Sequence, residues 1–444
     1  MDRGLFYLEF FKHLHIFFFA TCFCVYPLYK IANKISISGL LDPIMFYWVF
    51  TFGSAYGIVL GLFYLGHISI FYFMLVLSYG VIFSSGLILF QKLSWRLPPR
   101  IVKMIGKDFQ PRSVVKASVF FIFLGLTVVM VTQVGFGMFA AENRFEQNRG
   151  SGAVVRLFTL FRLFFAAYLG IIFFKCARTR RSRQRTMRLI IVSLIWIFFA
   201  GFMSAIDGAK FAFLETLIAS MVGATIFAGK QLSLSKKAAL LGGFFSVVFA
   251  LGIYSINLQK NGQSAKESSF IPGVPFVVEA LAFRVLANGD KYFLGLPNGV
   301  VETAEIKPAW VRIVGSLISS TAMSRIVGYD INDYSVGKQI LYYWEPSWDI
   351  AGGPTSHFDL YSYKQFGVVG GAFFILFIAF VLIGVRKGAA SAEGNLYASS
   401  ILGVMWVRSW AIIIEPPLGI AYIFDVLLVF GLIALFRGYV LSRK

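Results

Sequence analysis

The chain has 444 residues, of which 58% are hydrophobic and only 14% are charged, and its mean hydropathy is +0.75. Soluble domains carry roughly 25% charged residues, so this composition excludes an ordinary soluble protein and predicts an integral membrane protein. The net charge of +20 could suggest nucleic acid, but the basic residues cluster between apolar segments, as the positive-inside rule describes. We therefore expect membrane lipids, and no nucleic acid, as partners.

Eleven apolar segments are long enough to cross the hydrocarbon core, which requires about 20 residues. They lie at about 14–30, 44–65, 68–91, 115–138, 155–176, 188–206, 209–228, 237–256, 366–385, 395–414 and 418–437. The predicted fold is all-α: a polytopic transmembrane helix bundle of about eleven spans, or ten to twelve because the first segment begins with polar residues. The predicted domains are N-terminal transmembrane helices at 1–256, a large loop at 257–365 and C-terminal transmembrane helices at 366–444.

The basic runs at 92–112 and 178–188 are typical of cytoplasmic loops. With both runs on the cytoplasmic side, most of the remaining polar sequence falls on the outer face, including 143–150, 206–210 and 257–365. This sidedness predicts a function on molecules presented from the outer leaflet.

The long outer loop contains two amphipathic helical patterns, at about 276–288 and 307–326. Such helices cap a bundle or lie along the membrane interface. Loops of this length in a compact protein are usually functional, so we expect substrate-binding and catalytic elements here.

Aromatic and acidic residues alternate near the end of this loop, where Trp344 and Trp348 precede Asp349. This composition would suit a sugar-binding groove, because aromatic rings pack against the C–H faces of sugars and carboxylates accept hydrogen bonds from sugar hydroxyls. The alternative is an interfacial aromatic belt, in which Trp and Tyr collect regardless of function.

Five ionisable residues fall within predicted spans, where each costs roughly 2.5–3.5 kcal/mol to insert. They are Arg156, Arg162, Glu215, Arg408 and Asp425. In the predicted orientation all five lie in the outer half of the bilayer, which indicates a polar cavity opening outward. Interhelical ion pairs that hold the helices together are the alternative interpretation.

Further cations lie at or near the predicted outer surface: Arg144, Arg149, Lys210 and Arg284. Guanidinium groups bind phosphate oxygens in a bidentate manner and can hold a diphosphate without a metal ion. Since the chain has no Asp-x-Asp pair and no His-rich triplet, we expect neither a metal ion nor another cofactor.

The most informative segment is GGPTSHFDLYSYKQFGVVGG at 352–371. Glycines and a proline break the chain, then His357, Asp359 and Tyr361 follow immediately before a predicted span. His357 is one of only four histidines, and its side chain is suited to proton transfer near neutral pH.

Several stretches resemble the Wzy-type O-antigen (polysaccharide repeat-unit) polymerases and, more distantly, the O-antigen ligases. They are NRFEQNRGSG at 143–152, SAIDGAKFAFL at 204–214, LAFRVLANGD at 281–290 and PTSHFDLYSYKQFGVVGG at 354–371. The resemblance spans about 115–437, with sparse motifs.

Both families commonly have a Gly-x-Lys or Gly-x-Arg motif at the outer start of a helix, and the motif that ends at Lys210 is similar. They also have an arginine on a helix of the outer loop, which Arg284 matches. The ligases carry a His before a Gly-x-x-Gly helix start, which His357 matches. The polymerases often have Pro-Thr at this place without the His, which Pro354 and Thr355 match.

The resemblance implies a metal-independent, inverting glycosyltransferase in the bacterial inner (cytoplasmic) membrane, with its active site facing the periplasm. It would transfer a glycan from undecaprenyl diphosphate onto an incoming lipid-linked repeat unit, as in lipopolysaccharide O-antigen biosynthesis. The implied partners are undecaprenyl-diphosphate-linked oligosaccharide and, as a candidate, a polysaccharide chain-length regulator.

Within this framework Lys210 and Arg284 would hold the diphosphate, and Arg144 and Arg149 would act as gating cations. His357 would orient or deprotonate the acceptor hydroxyl, and Asp359 and Asp349 are the alternative candidates for that role. The substrate-binding set also includes Arg156, Arg162, Arg408, Tyr361, Trp344 and Trp348.

Two other functions remain open. An O-antigen ligase would use the same donor but transfer the glycan onto lipid A-core. A flippase or transporter for lipid-linked oligosaccharide would also need a cationic cavity, but it often has repeated halves and no long one-sided loop.

Overall fold

The computed structural model describes residues 1–94, 113–137, 150–178, 183–209, 211–232, 241–245, 247–248, 251–252, 255–256, 270, 276–349 and 352–442. Every regular element within these residues is a helix, and they contain no strand. The prediction of an all-α fold is therefore confirmed.

In the part of the chain that the structure describes, the main helices before the long loop are α1 (Arg3–Lys12), α2 (Leu14–Ile35), α3 (Met45–Tyr64, π-helical to Phe52), α4 (Ile70–Lys92), α5 (Ser113–Val129, continued by the π-helical Met130–Val134), α6 (Gly152–Arg178), α7 (Arg183–Asp207) and α8 (Ala212–Ala228). The loop contains α9 (Phe276–Leu286), α10 (Asp290–Gly295), α11 (Val300–Thr303), α12 (Ala309–Leu317), α13 (Ser320–Val327) and α14 (Val336–Trp344). The C-terminal helices are α15 (Phe358–Ala390), α16 (Leu396–Ser409), α17 (Ala411–Ile414) and α18 (Pro416–Ser442).

Nine helical segments of the described chain are long and apolar enough to cross a membrane: α2 to α7, α15, α16 with α17, and α18. The predicted span at 209–228 corresponds to the 17-residue apolar helix α8. Within the predicted span at 237–256 the structure describes residues 241–245, 247–248, 251–252 and 255–256, and all of them are helical. The polytopic bundle is thus confirmed.

The centre of the bundle is a close packing of α6, α8 and α16. A Cβ atom on Gly170 would collide with the carbonyl oxygen of Ser220, and one on Gly403 would lie 3.3 Å from Cα of Gly223. Small residues at such positions let helix backbones approach closely, which favours association where the surroundings are apolar.

The loop helices lie over the end of the bundle at which α6, α15 and α18 begin, which we call the loop end. Asn288 Nδ2 donates to Ser54 Oγ on α3 at 3.1 Å, and Trp344 Nε1 donates to the Leu294 carbonyl at 2.9 Å, joining α14 to α10. The loop is therefore packed on the bundle and on itself.

Side-chain caps explain where the later loop helices begin. Ser319 Oγ accepts from the backbone N–H of Ala322 at the start of α13, and Ser335 Oγ accepts from Lys338 at the start of α14. Such caps satisfy backbone donors that have no partner within the helix. The predicted amphipathic stretch at 307–326 is consequently divided into α12 and α13.

Helix α15 begins at Phe358, eight residues before the predicted span. It is kinked at Gly367, where φ is 68° and ψ is −173°, a conformation that favours glycine. The Tyr79 hydroxyl lies 3.1 Å from the Gly367 carbonyl and 2.8 Å from the Val368 carbonyl. The residues before the kink, predicted as loop, thus form a helical turn within the bundle.

Candidate functional site

The segment 354–361 crosses the loop end between the bundle and the loop helices. The His357 backbone N–H donates to the Ile414 carbonyl at 2.9 Å. His357 has φ 48° and ψ 148°, a sparsely populated conformation for a residue with a side chain, and one that persists only where surrounding contacts enforce it.

Those contacts form a buried chain of polar side chains, which we call the His357 network. Lys291 Nζ lies 3.0 Å from His357 Nε2, and the Tyr292 hydroxyl lies 3.0 Å from His357 Nδ1. The Tyr292 hydroxyl donates to Asp359 Oδ2 at 2.6 Å, and the Tyr56 hydroxyl reaches the same oxygen at 3.4 Å. The network joins α3, α10 and α15.

The donor and acceptor in each hydrogen bond of the His357 network follow from the number of N–H and O–H groups that each side chain has. The Lys291 ammonium has three donors, and they match its three neighbours: the Asn288 carbonyl at 3.0 Å, Asp290 Oδ1 at 3.0 Å and His357 Nε2. Nε2 is then the acceptor, so the neutral ring carries its proton on Nδ1 and donates to Tyr292. Both ring nitrogens are engaged within the protein.

Burial, and secondly the Lys291 ammonium, hold the pKa of His357 well below its usual range. Burial, and secondly the Asp359 carboxylate, raise the pKa of Tyr292 well above its usual range. His357 is 1% exposed and packs against the Phe52 ring at 4.4 Å between centroids. It is therefore a neutral imidazole with no free nitrogen for a substrate proton.

A second polar cluster lies directly beside this network, at the junction of α17 and α18. Glu415 accepts from the backbone N–H of Ser356 at 2.8 Å and from its hydroxyl at 3.3 Å. Arg312, on α12, places Nη2 3.1 Å from Glu415 Oε1. The predicted segment and a loop helix thus meet at one carboxylate.

Two donors at this junction lack partners within the described residues: Arg312 Nη1 and the Tyr361 hydroxyl, both buried. Arg312 and Glu415 are close enough to act electrostatically on the Tyr361 hydroxyl. Leaving a buried donor unsatisfied costs about 1–3 kcal/mol, so this place is suited to an additional acceptor. We call Arg312, Ser356, Tyr361 and Glu415 the Arg312 site.

Arg162 is fully buried and paired within the bundle. Its Nη2 lies 2.8 Å from Glu215 and 3.4 Å from Asp207, and its Nη1 donates to the Ala212 carbonyl at 2.7 Å. For Arg162 and Glu215 the interhelical ion pair is therefore the arrangement present, because no side-chain surface of Arg162 reaches a cavity.

Arg156 and Arg408 form a separate cluster. Arg156 donates to the Ser316 carbonyl at the end of α12, and its Nε lies 3.4 Å from Asp425. Arg408 donates to the Arg156 carbonyl at 2.7 Å, with its guanidinium 3.8 Å from the centroid of the Tyr422 ring. These contacts attach α12 to the bundle.

Arg284 is exposed on α9, and no hydrogen bond or ion pair links it to another described residue. Lys210, Arg144 and Arg149 lie outside the described residues. Of the predicted diphosphate cations, only Arg284 lies in the part of the chain that the structure describes, and a shared site for all four stays a prediction.

The predicted aromatic platform is only partly available to a ligand. Trp344 is partly buried through its bond to the Leu294 carbonyl, and the Arg3 guanidinium lies 5.7 Å from the centre of the Trp348 ring. Asp349 is exposed.

Sequence reasoning missed Lys291, Tyr292, Arg312 and Glu415. Lys291 and Tyr292 follow the predicted amphipathic helix at 276–288, and nothing in the sequence distinguishes them from ordinary loop residues. Arg312 lies within the second predicted amphipathic helix, at 307–326. Glu415 gave the clearest signal, since it interrupts an apolar stretch immediately before two prolines. Among the described residues, no three His, Cys, Asp or Glu side chains converge as a metal site would require.

Comparison of this chain with family models, with curated proteins and with solved structures gives no match.

Proposed function

We propose that this chain is a membrane glycosyltransferase of the O-antigen polymerase type, acting in a bacterial inner membrane with its loop end facing the periplasm. It transfers a glycan from undecaprenyl diphosphate onto a hydroxyl of an incoming lipid-linked repeat unit. The sequence resemblance suggests this reaction, and the Arg312 site is the place where the geometry best supports it.

The supporting observation is the pair of buried donors without partners, Arg312 Nη1 and the Tyr361 hydroxyl. Diphosphate oxygens are strong acceptors, and an arginine fork matches their geometry. Glu415 fixes the guanidinium through Nη2, so Nη1, which has no partner among the described residues, would be the donor for a ligand that enters this junction.

In the proposed reaction, the acceptor oxygen bonds to the anomeric carbon while the bond from that carbon to the diphosphate breaks. The departing diphosphate keeps its negative charge against Arg312, a preorganised stabilisation that is often the largest contribution to catalysis. Glu415 keeps the guanidinium in place toward the departing diphosphate, and the acceptor proton leaves to water on the opposite face of the anomeric carbon. The His357 network positions the segment that carries Ser356 and Tyr361.

The other cations keep narrower proposed roles. Exposed Arg284 attracts the anionic donor from outside the bundle, and Lys210 remains a predicted diphosphate ligand. Arg162 is assigned to stability alone.

The test combines purified protein with a synthetic polyprenyl-diphosphate repeat unit and measures both the glycan ladder and released polyprenyl diphosphate. Arg312→Lys is expected to lower the rate at least about 100-fold, as loss of a transition-state donor does, and Glu415→Gln is expected to lower it because the ion pair no longer holds the guanidinium in place. Glu415→Gln should still bind the donor, whereas Arg312→Lys should bind it more weakly.

Arg325→Ala is the matched control, because Arg325 is an exposed cation on the neighbouring helix α13. Size-exclusion profiles of fluorescent fusions exclude misfolding as the cause of lost activity. Wild-type rates in Arg312→Lys and Glu415→Gln would remove the Arg312 site from the mechanism.

Deletion of the gene in its host distinguishes the alternatives. Core with a single repeat unit supports the polymerase, whereas bare core with long chains on undecaprenyl diphosphate indicates a ligase. Bare core with single lipid-linked units left in the inner leaflet indicates a flippase.

A further inference from the structure

A cavity of about 740 Å³ lies between α6, α7 and α8 in the half of the bundle away from the loop end. Its apolar wall includes Phe173, Ile197, Leu217 and Met221. On α8 the lining runs from Leu217 to Ala224, which is about 10 Å of helix at 1.5 Å per residue. The cavity has the size and polarity to hold part of a hydrocarbon chain.

The inner wall of the cavity is fixed by a hydrogen bond between two helices. Trp196 Nε1, on α7, donates to Ser220 Oγ, on α8, at 2.8 Å. Both residues line the cavity, and the bond satisfies the indole N–H that would otherwise face apolar surroundings. The hydrogen bond therefore joins α7 to α8 along this part of the cavity.

The cavity lining at the ends of α6 and α8 away from the loop end is polar and positively charged. Arg178, Lys230 and Gln231 belong to it, and no acidic residue belongs to the described lining. Glu393 packs near the adjacent Gly229 but forms no ion pair with Lys230 among the described residues. Arg178 and Lys230 are therefore cations of the cavity lining, and no carboxylate belongs to the part of that lining that the structure describes.

The amino-acid sequence that follows α6 and α8 has the same charge bias. The run 178–188 contains six arginines, and neither 147–206 nor 216–266 contains an Asp or Glu. A mostly apolar cavity with cations at one end fits a molecule that has a hydrocarbon tail and an anionic head. We propose that this cavity binds an anionic phospholipid, with its phosphate at Arg178 and Lys230 and an acyl chain against Trp196.

The transfer of a lipid tail from the bilayer to an apolar cavity has little favourable free energy, because both surroundings are equally apolar. Selectivity for this lipid therefore comes from its charged head group. Each nearby cation raises the affinity of the site for the anionic lipid about fivefold. The site is independent of the Arg312 site, which lies at the other end of the helices.

The experiment reconstitutes full-length protein in vesicles that contain chain-brominated phosphatidylglycerol or chain-brominated phosphatidylcholine and measures tryptophan quenching. The difference between the wild-type protein and Trp196→Phe isolates the signal of Trp196. We expect stronger quenching of Trp196 by brominated phosphatidylglycerol, and a roughly 25-fold loss of that preference in Arg178→Gln/Lys230→Gln.

Lys30→Gln/Lys34→Gln is the matched control, because both lysines are exposed in the half of α2 away from the loop end and neither lines the cavity. It should retain the preference. Equal quenching by the two lipids in the wild-type protein would overturn the proposal, and so would equal loss of preference in both double variants, which would indicate general surface attraction. Size-exclusion profiles confirm that each variant is folded.

Discussion

Lys291 Nζ lies 3.0 Å from His357 Nε2, and this contact determines what the histidine can do. The ammonium donates to the ring, so the imidazole stays neutral and its other nitrogen donates to Tyr292. A histidine in the predicted position for a base is instead part of a buried structural chain. The same contact leads to a stability prediction.

The protein should lose stability below about pH 6.5, the ordinary pKa of histidine. The unfolded chain binds a proton there that the folded state excludes, because the pKa of His357 is lowered by burial and by Lys291. Stability then falls by up to about 1.4 kcal/mol per pH unit. Melting temperatures in detergent, measured between pH 8 and pH 5, test this.

His357→Asn is the matched variant, because the Asn side chain is polar and does not titrate. Its melting temperature should be lower at pH 8 but should depend less on pH. Parallel curves for the two proteins would show that His357 is not the titrating group.

Arg162→Met should reduce the amount of protein in the membrane rather than alter turnover per molecule. The change removes the arginine that pairs with Asp207 and Glu215, and breaking a buried ion pair in this way costs about 3–5 kcal/mol. Fluorescence of a fusion protein in membranes measures the amount. Normal abundance with lost activity would instead place Arg162 in the substrate site.

Gly170→Ala should destabilise the protein by about 1–3 kcal/mol, because the added methyl group meets the Ser220 carbonyl and forces α6 away from α8. Gly125→Ala is the control, since nothing lies within 4 Å of its added Cβ. Helix propensity alone favours alanine at both positions. Equal melting temperatures for the two variants would contradict the close packing.

Gly367→Ala should lower the melting temperature through backbone strain of about 1–3 kcal/mol, because φ at this kink is 68°. Gly201→Ala, with open space around its Cβ, should have no such effect. Tyr79→Phe should also destabilise the kink, since it removes the donor to the Gly367 and Val368 carbonyls. A stable Gly367→Ala variant would mean that the helix can straighten.

The sequence by itself determined the helical class, most of the apolar segments and the polar character of the segment around His357. These features are local: about 20 apolar residues in succession are enough to predict a helix that spans a membrane. The same local patterns placed Asp359 and Tyr361 near a helix start, although the helix begins eight residues earlier than expected.

Only the tertiary structure decided which ionisable side chains meet. Arg312 and Glu415 are 103 positions apart, and Tyr56 and Asp359 are 303 apart. Their pairing depends on helix packing that hydropathy does not encode. For this reason the sequence identified charges such as Arg162 and Arg284 but could not tell a buried ion pair from an exposed cation.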